Sequence, residues 1–278
     1  MTWIALSLIA LALFLRWGLP ATLHALGLHP RYDGPVHALP GARALIVTTS
    51  HGTLDPSRKA TGVFASELTA PYYAFLDAGL TVDVASVRGG AIPIEPDSLR
   101  WFLATPSDRR YLADPVLQAK VADSRPIDGL DFAAYDIVFL AGGWGAAYDL
   151  ADSEPLGRGI GAAWAAGRVV GGVCHGPLGL LRARDVDGSP LVRGRRLTAV
   201  TDRQVAQLGI TMTPHHPERD LRSAGAAFQS ARAWYEPFAN LTVVDGRLVT
   251  GQNQNAGTET AQAMLRVAGG TVRPAPSP

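Results

Sequence analysis

Four short, almost wholly apolar runs set the terms for any fold this chain can adopt. They are ALIVTT (Ala44 to Thr49), TVDVASV (Thr81 to Val87), YDIVFLAGG (Tyr135 to Gly143) and VVGGV (Val169 to Val173). Each is too short for a helix and nearly continuous in apolar character, as strands buried on both faces are. Helical patterns such as Gly62 to Ala78 and Ala146 to Ala166 lie between them. That alternation predicts a mainly parallel sheet with helices on both faces. LTVVDGRLVTG (Leu241 to Gly251) adds two short strands about an Asp-Gly turn, and a helix is expected from Thr258 to Val267. With 47% hydrophobic and 18% charged residues the chain can bury a core, and no change of composition marks a second one. One α/β domain is therefore expected over residues 42–270, followed by a disordered tail at 271–278.

The N-terminus obeys a different rule. From Trp3 to Leu15 the run WIALSLIALALFL holds one weakly polar residue, Ser7, before Arg16 closes it. At ~1.5 Å per residue it reaches ~20 Å, short of the ~30 Å hydrocarbon core, but counting from Met1 to Gly18 with Arg16 snorkelling comes nearer to a span. No Lys or Arg precedes the run and the cleavage site near Ala21 to Ala25 is poor, so residues 1–28 read as a hydrophobic membrane anchor, with a signal segment as the alternative. Arg16 and Arg31 follow it, which places the main domain on the cytoplasmic side; export after signal cleavage is the alternative location. Residues 29–41 read as a linker. Because the core begins at Ala44, a chain cut near residue 40 is expected to fold unaided.

Lys plus Arg minus Asp plus Glu is 25 − 24 = +1, which argues against a nucleic-acid partner. The single cysteine, Cys174, excludes an internal disulfide framework and any multi-cysteine metal site, and His215 and His216 have no third ligand in view, so no metal site is expected. In an α/β sheet the chemistry sits at the carboxyl ends of strands. VVGGVCHGPLGLL puts Cys174 there, among glycines, in a strand-turn-helix elbow of the kind that projects a nucleophile. The helix N-terminus beyond it is expected to lower the thiol pKa and to offer N–H groups, that of His175 included, to an oxyanion. Gly142 and Gly143, in AGGWGAAYDL at another strand end, would complete that oxyanion hole if the two strands are neighbours. The plainer readings are an inert buried cysteine and an ordinary glycine turn.

Taken in order, TGVFASELTAPYYAFLDAGLTVDVASVRGGAIPIEPDS, AGGWGAAYDL, VCHGPLGLL and VVDGRLVTGQNQNA resemble the ThiJ/PfpI superfamily from about Ala44 to Val267, and within it the chaperone and glyoxalase III branch. The resemblance implies a flavodoxin-like three-layer α/β/α sandwich, like the class I glutamine amidotransferase domain, here preceded by a hydrophobic helix. It implies that Cys174 is the nucleophile, that Glu67 in TGVFASEL contacts the thiol, and that His175 joins them. The acid that orients the histidine in that branch falls near Gln204 and Val205 here, with Asp202 the nearest carboxylate, and Trp144 stands where the branch has a histidine. His216-Pro217-Glu218 matches the His-x-Glu of the amidotransferases, at a spacing from Cys174 that looks short and accidental.

These readings lead to a cofactor-independent enzyme, a glyoxalase III-like lyase or a hydrolase, that converts a small reactive carbonyl such as methylglyoxal to a 2-hydroxy acid. Amide hydrolysis of the amidotransferase kind is an alternative. So is a non-catalytic, membrane-tethered chaperone, redox sensor or ligand-binding module, favoured by the altered triad. The expected partners are the carbonyl substrate, the membrane through the N-terminal segment and, by resemblance alone, a second copy in a homodimer.

Overall fold

The computed structural model describes residues 2–271, so the tail expected at 271–278 lies, apart from Thr271, outside the described residues. The principal sheet is built from β1 (Arg43–Thr48), β2 (Thr81–Ser86), β3 (Arg125–Pro126), β4 (Ile137–Leu140), β5 (Val169–Val173), β6 (Thr242–Asp245) and β7 (Leu248–Gly251). Its order is β6-β7-β5-β4-β1-β2-β3. Every pairing is parallel except the β6–β7 hairpin. From β1 the chain builds outward through β2 and β3, then returns to the other side of β1 with β4 and β5. The order therefore reverses between β1 and β4, and the crevice at their carboxyl ends is where such folds place a ligand.

Alternate residues of β1 explain the layers. Ala44 and Ile46 join the core that holds Leu68, Tyr72 and Phe75 of α1 (Ala65–Asp77), whereas Leu45 and Val47 join the core that holds Leu156, Ile160 and Trp164 of α2 (Glu154–Ala165). Two shorter elements matter for the site, α3 (Asp202–Gln207) and α4 (Gly257–Thr271), the second packed beside α1. The helix expected over Ala146 to Ala166 is broken in two. Ser153 Oγ accepts the Leu156 N–H at 3.3 Å and Pro155 stands in the first turn of α2, so a new helix starts where a continuous one was expected.

The N-terminal helix is longer than its sequence suggests. It runs from Thr2 to Ala25 with a wide π turn at Phe14–Gly18, and Pro20 is accommodated because it opens the last helical piece, Leu19–Ala25, where its missing N–H costs little. The apolar stretch Trp3–Ala25, whose most apolar 18-residue window has a mean hydropathy of 1.9, has 23 residues. At ~1.5 Å per residue it exceeds the ~30 Å of a hydrocarbon core.

The segment expected to be a linker has no regular structure, yet it is fastened to the domain. Leu28 and Leu39 are buried, the His29 N–H donates to Asn255 Oδ1 at 2.8 Å, the His37 N–H to Gln262 Oε1 at 2.9 Å and the Leu39 N–H to the Ala78 carbonyl at 2.8 Å. A chain cut near residue 40, expected from the sequence to fold unaided, would lose two buried leucines and three hydrogen bonds. Full burial of one leucine is worth about 1.5–3 kcal/mol, and about 1 kcal/mol moves the Tm of a domain this size by about 2–4 °C. A chain beginning at residue 41 should therefore melt at least about 5 °C below one beginning at residue 27. Equal melting temperatures by calorimetry would show that the segment only rests on the surface.

Candidate active site

Cys174 follows β5 directly, at the sheet's carboxyl edge, with a φ of 59°, a region that disfavours any side chain. Strain of this kind, about 1–3 kcal/mol, persists only where neighbours enforce it. Here the Cys174 N–H donates to the Gly251 carbonyl of β7 at 3.1 Å, and the Cys174 carbonyl accepts from Val200 N–H at 3.0 Å. The backbone is pinned on both sides and the thiol is turned into a cleft of about 420 Å³.

Glu67 arrives from the first turn of α1. That turn is set by Ser98, whose buried hydroxyl accepts the Ala65 N–H at 3.1 Å and so starts the helix where Phe64 offers no side-chain cap. The glycine loop after β4 then closes on the carboxyl. Gly143 has a φ of +94° and packs so tightly on Gly62 and Phe64 that a Cβ would collide with both, and a Cβ at Gly142 would strike Glu67 Oε2 itself. Small residues are required here because a carboxyl and two backbones share one space.

Burial dominates the electrostatics. Glu67 is 1% exposed, its Oε2 has no hydrogen-bond partner, and loss of solvent pushes its pKa up to about 8 against the opposing pull of the Cys174 thiol and the Gly142 and Gly143 N–H groups. The Cys174 thiol is also pushed well above its ordinary range, first by burial and then by the charge of an ionised Glu67; the N–H groups of Gly143 and His175 act in the opposite sense. This corrects the expectation of an acidified thiol. Beyond His175 the chain forms only a five-residue 3-10 turn, Gly176–Leu180, wholly buried and too short for an appreciable dipole, and it cannot offset the desolvation.

His175 Nδ1 lies 3.3 Å from Cys174 Sγ. The ring is enclosed, with Trp144 stacked obliquely at 4.8 Å between centroids, and burial holds its pKa down at about 3, so it is a neutral base at ordinary pH. Its Nε2 is buried without a partner. Asp202, expected to orient it, does not reach it: the side chain is 50% exposed and its Oδ1 sits 4.0 Å from Nδ1 of a different histidine, His216. The cause is helical phase. Thr201 caps α3 by accepting the Gln204 N–H at 3.1 Å, which turns Asp202 outward and buries Gln204 against the cleft. Glu218 accepts from the Asp202 N–H at 3.1 Å and from Arg222, a structural use of the His-x-Glu segment.

The structure thus brings Cys174, His175, Glu67 and the Gly142–Gly143 loop together and leaves Asp202 outside. Four further residues contribute without being assigned a role from the sequence. Trp144, noticed there only as a departure, is the wall that dries His175. Glu95 is a second buried carboxyl lining the cleft, bonded to the Thr61 hydroxyl and raised in pKa by burial. Leu23 and Leu28, from the end of the N-terminal helix and just beyond it, complete the wall, and no local pattern could have announced a contact so distant in the chain.

The arrangement has relatives. The DJ-1/PfpI family pattern matches residues 58–267. The glutathione-independent glyoxalase hsp3101 of Schizosaccharomyces pombe is 28% identical over 236 residues, covering 82% of this chain and 96% of that protein. Glyoxalase 3 of Candida albicans is 28% identical over 80% of this chain and 95% of its own. Among solved structures, glyoxalase III from Candida albicans superposes with a TM-score of 0.75 at 26% identity, covering 81% of this chain and 97% of that one. The 24 kDa rapid encystment protein of Francisella tularensis gives 0.76 at 29% identity, over 82% and 99%. With the family pattern spanning most of its length and the elbow, glycine loop and buried carboxyl in place, this chain belongs to the DJ-1/PfpI family.

Proposed function

We propose that the protein is a cofactor-independent glyoxalase that isomerises and hydrates a 2-oxoaldehyde, methylglyoxal being the simplest, to a 2-hydroxy acid. The observation that carries this reading is a neutral histidine nitrogen 3.3 Å from the elbow thiol, in a cleft that also holds a protonated carboxyl. The glyoxalase names of its relatives support it.

Cys174 Sγ adds to the aldehyde carbon as its proton passes to His175 Nδ1, and the N–H groups of Gly143 and His175 receive the oxyanion before it regains that proton. His175 then removes the hydrogen on the former aldehyde carbon while Glu67 gives its proton to the ketone oxygen, leaving an enediol. The Glu67 carboxylate takes a hydroxyl proton back and His175 protonates the neighbouring carbon. The product is a 2-hydroxy thioester on Cys174. Water cleaves it, releasing the acid and the thiol. The unpartnered Nε2 of His175 favours a second reading, a ligand-binding or redox-sensing module, because no carboxylate holds the ring in place. Amide hydrolysis has no such observation behind it. A homodimer rests on family resemblance alone.

We also propose that Trp3–Ala25 anchors the protein in a membrane, on its length and exposed apolar surface. The full chain should then stay with membranes through high-salt and carbonate washes, since apolar burial rather than charge holds it. A shortened mature form in a soluble exported fraction would identify a signal segment instead.

Cys174→Ala should abolish formation of lactate from methylglyoxal, and Glu67→Gln, which keeps the shape and loses the transferable proton, should lower turnover about 10²-fold or more with the melting temperature retained. Wild-type turnover should fall as pH rises through about 8, where Glu67 loses its proton. Full activity in the Gln variant would remove Glu67 from the chemistry.

The thiol gives an independent reading. Iodoacetamide labelling of Cys174 should titrate above the ordinary ~8.5 of a free cysteine, and its midpoint should move to lower pH in Glu67→Gln, where no carboxylate opposes the thiolate. An unmoved midpoint would mean that the two groups do not share a field, and a raised one that Glu67 stabilises the thiolate by donating its proton.

A further inference from the structure

The cleft is larger and more apolar than a three-carbon dicarbonyl requires. Its volume of about 420 Å³ lies in the ~300–1,000 Å³ range that houses drug-sized ligands. Beyond the reacting groups, Leu23, Leu28, Ile210 and Phe238 belong to an apolar stretch of its wall, while Lys59 and Asp97 give it a charged one. Around the mouth the apolar character continues onto the surface: Trp234 is 72% exposed, and Leu208 and Trp101, the second packed on Phe102, are also exposed. Trp234 packs against Tyr235 and Phe238, both of which line the cleft, so the exposed aromatic rim and the interior wall are one cluster. Aromatic residues with a polar edge suit the membrane–water boundary.

The N-terminal helix says what this rim faces. The last piece of the apolar stretch, Leu19–Ala25, delivers Leu23 to the wall of the cleft. The chain is then locked in register, because Gly27 meets Phe238 and the His29 N–H is bonded to Asn255, whose side-chain amide donates to the Pro237 carbonyl at 2.9 Å. The membrane segment and the mouth of the active site are thus joined without a free linker between them.

We infer that the cleft draws its substrate from the bilayer, and that this substrate is a 2-oxoaldehyde with a long hydrocarbon tail, its carbonyls at Cys174 and its tail between Leu23, Leu28, Ile210 and Phe238. The inference rests on the glyoxalase and anchor readings above and adds the substrate class. The covalent steps are unchanged: water adds, one carbon is oxidised and its neighbour reduced, and a long-chain 2-hydroxy acid leaves.

The test uses the full chain reconstituted in phosphatidylcholine vesicles, with 2-oxododecanal or methylglyoxal as substrate and the 2-hydroxy acid measured by mass spectrometry beside a Cys174→Ala control. A kcat/KM at least tenfold higher for 2-oxododecanal is expected. Leu23→Asp and Ile210→Asp, on separate elements, should each reduce that ratio at least fivefold. Turnover of methylglyoxal with a preference below tenfold would overturn the inference and leave the glyoxalase function standing. A strong preference that neither substitution reduces would overturn the placement of the tail. No product from either substrate above the Cys174→Ala control would remove the function and the inference together.

Discussion

A carboxyl and a thiol enclosed in the same dry space cannot both be charged at modest cost, and the site is organised around that constraint. Glu67 retains a proton to about pH 8 because water is kept from it, and Cys174 retains its own because burial opposes the thiolate and, once Glu67 has ionised, a carboxylate stands beside it. A proton acceptor is therefore needed at the sulfur itself. His175, kept neutral by the same enclosure, supplies one at 3.3 Å. Placement of all three depends on the reversal of strand order between β1 and β4, which brings α1, the glycine loop and the elbow to one crevice although they are far apart in sequence.

Much of this is legible in the sequence because it obeys local rules. Strands buried on both faces leave continuous apolar runs, and β1, β2, β4 and β5 stand within a few residues of where those runs lie. The elbow is legible for the same reason: a nucleophile in a strained turn needs glycines on either side. The edge strand β3 is not, since two residues carry no pattern, and the break before α2 depends on a single serine and proline. Asp202 illustrates a different limit. Chain distance from Cys174 makes it the obvious carboxylate, but where helix α3 begins decides which side chains face inward, and a cap at Thr201 selects Gln204. The pKa of Cys174 moves opposite to the sequence expectation because that expectation requires a helix dipole where only one buried turn exists.

The N-terminal region changes meaning once contacts are seen. In sequence it is an apolar run followed by a Pro- and Gly-bearing spacer, two regimes with no visible tie to the domain. In the structure the spacer is a strap held by backbone hydrogen bonds to Asn255 and Gln262, and the run ends in the wall of the active site. Deleting it removes part of the cleft as well as the apolar helix.

The short edge strand β3 has its own consequence for assembly. Pro126 has no N–H to donate and Arg125 is exposed beside it, so this border of the sheet presents neither the donor nor the flat apolar face that an added strand would need. Growth of the sheet across that border, whether into a continuous two-chain sheet or into an aggregate templated by it, is blocked by composition. A second copy of the chain would have to meet this one elsewhere.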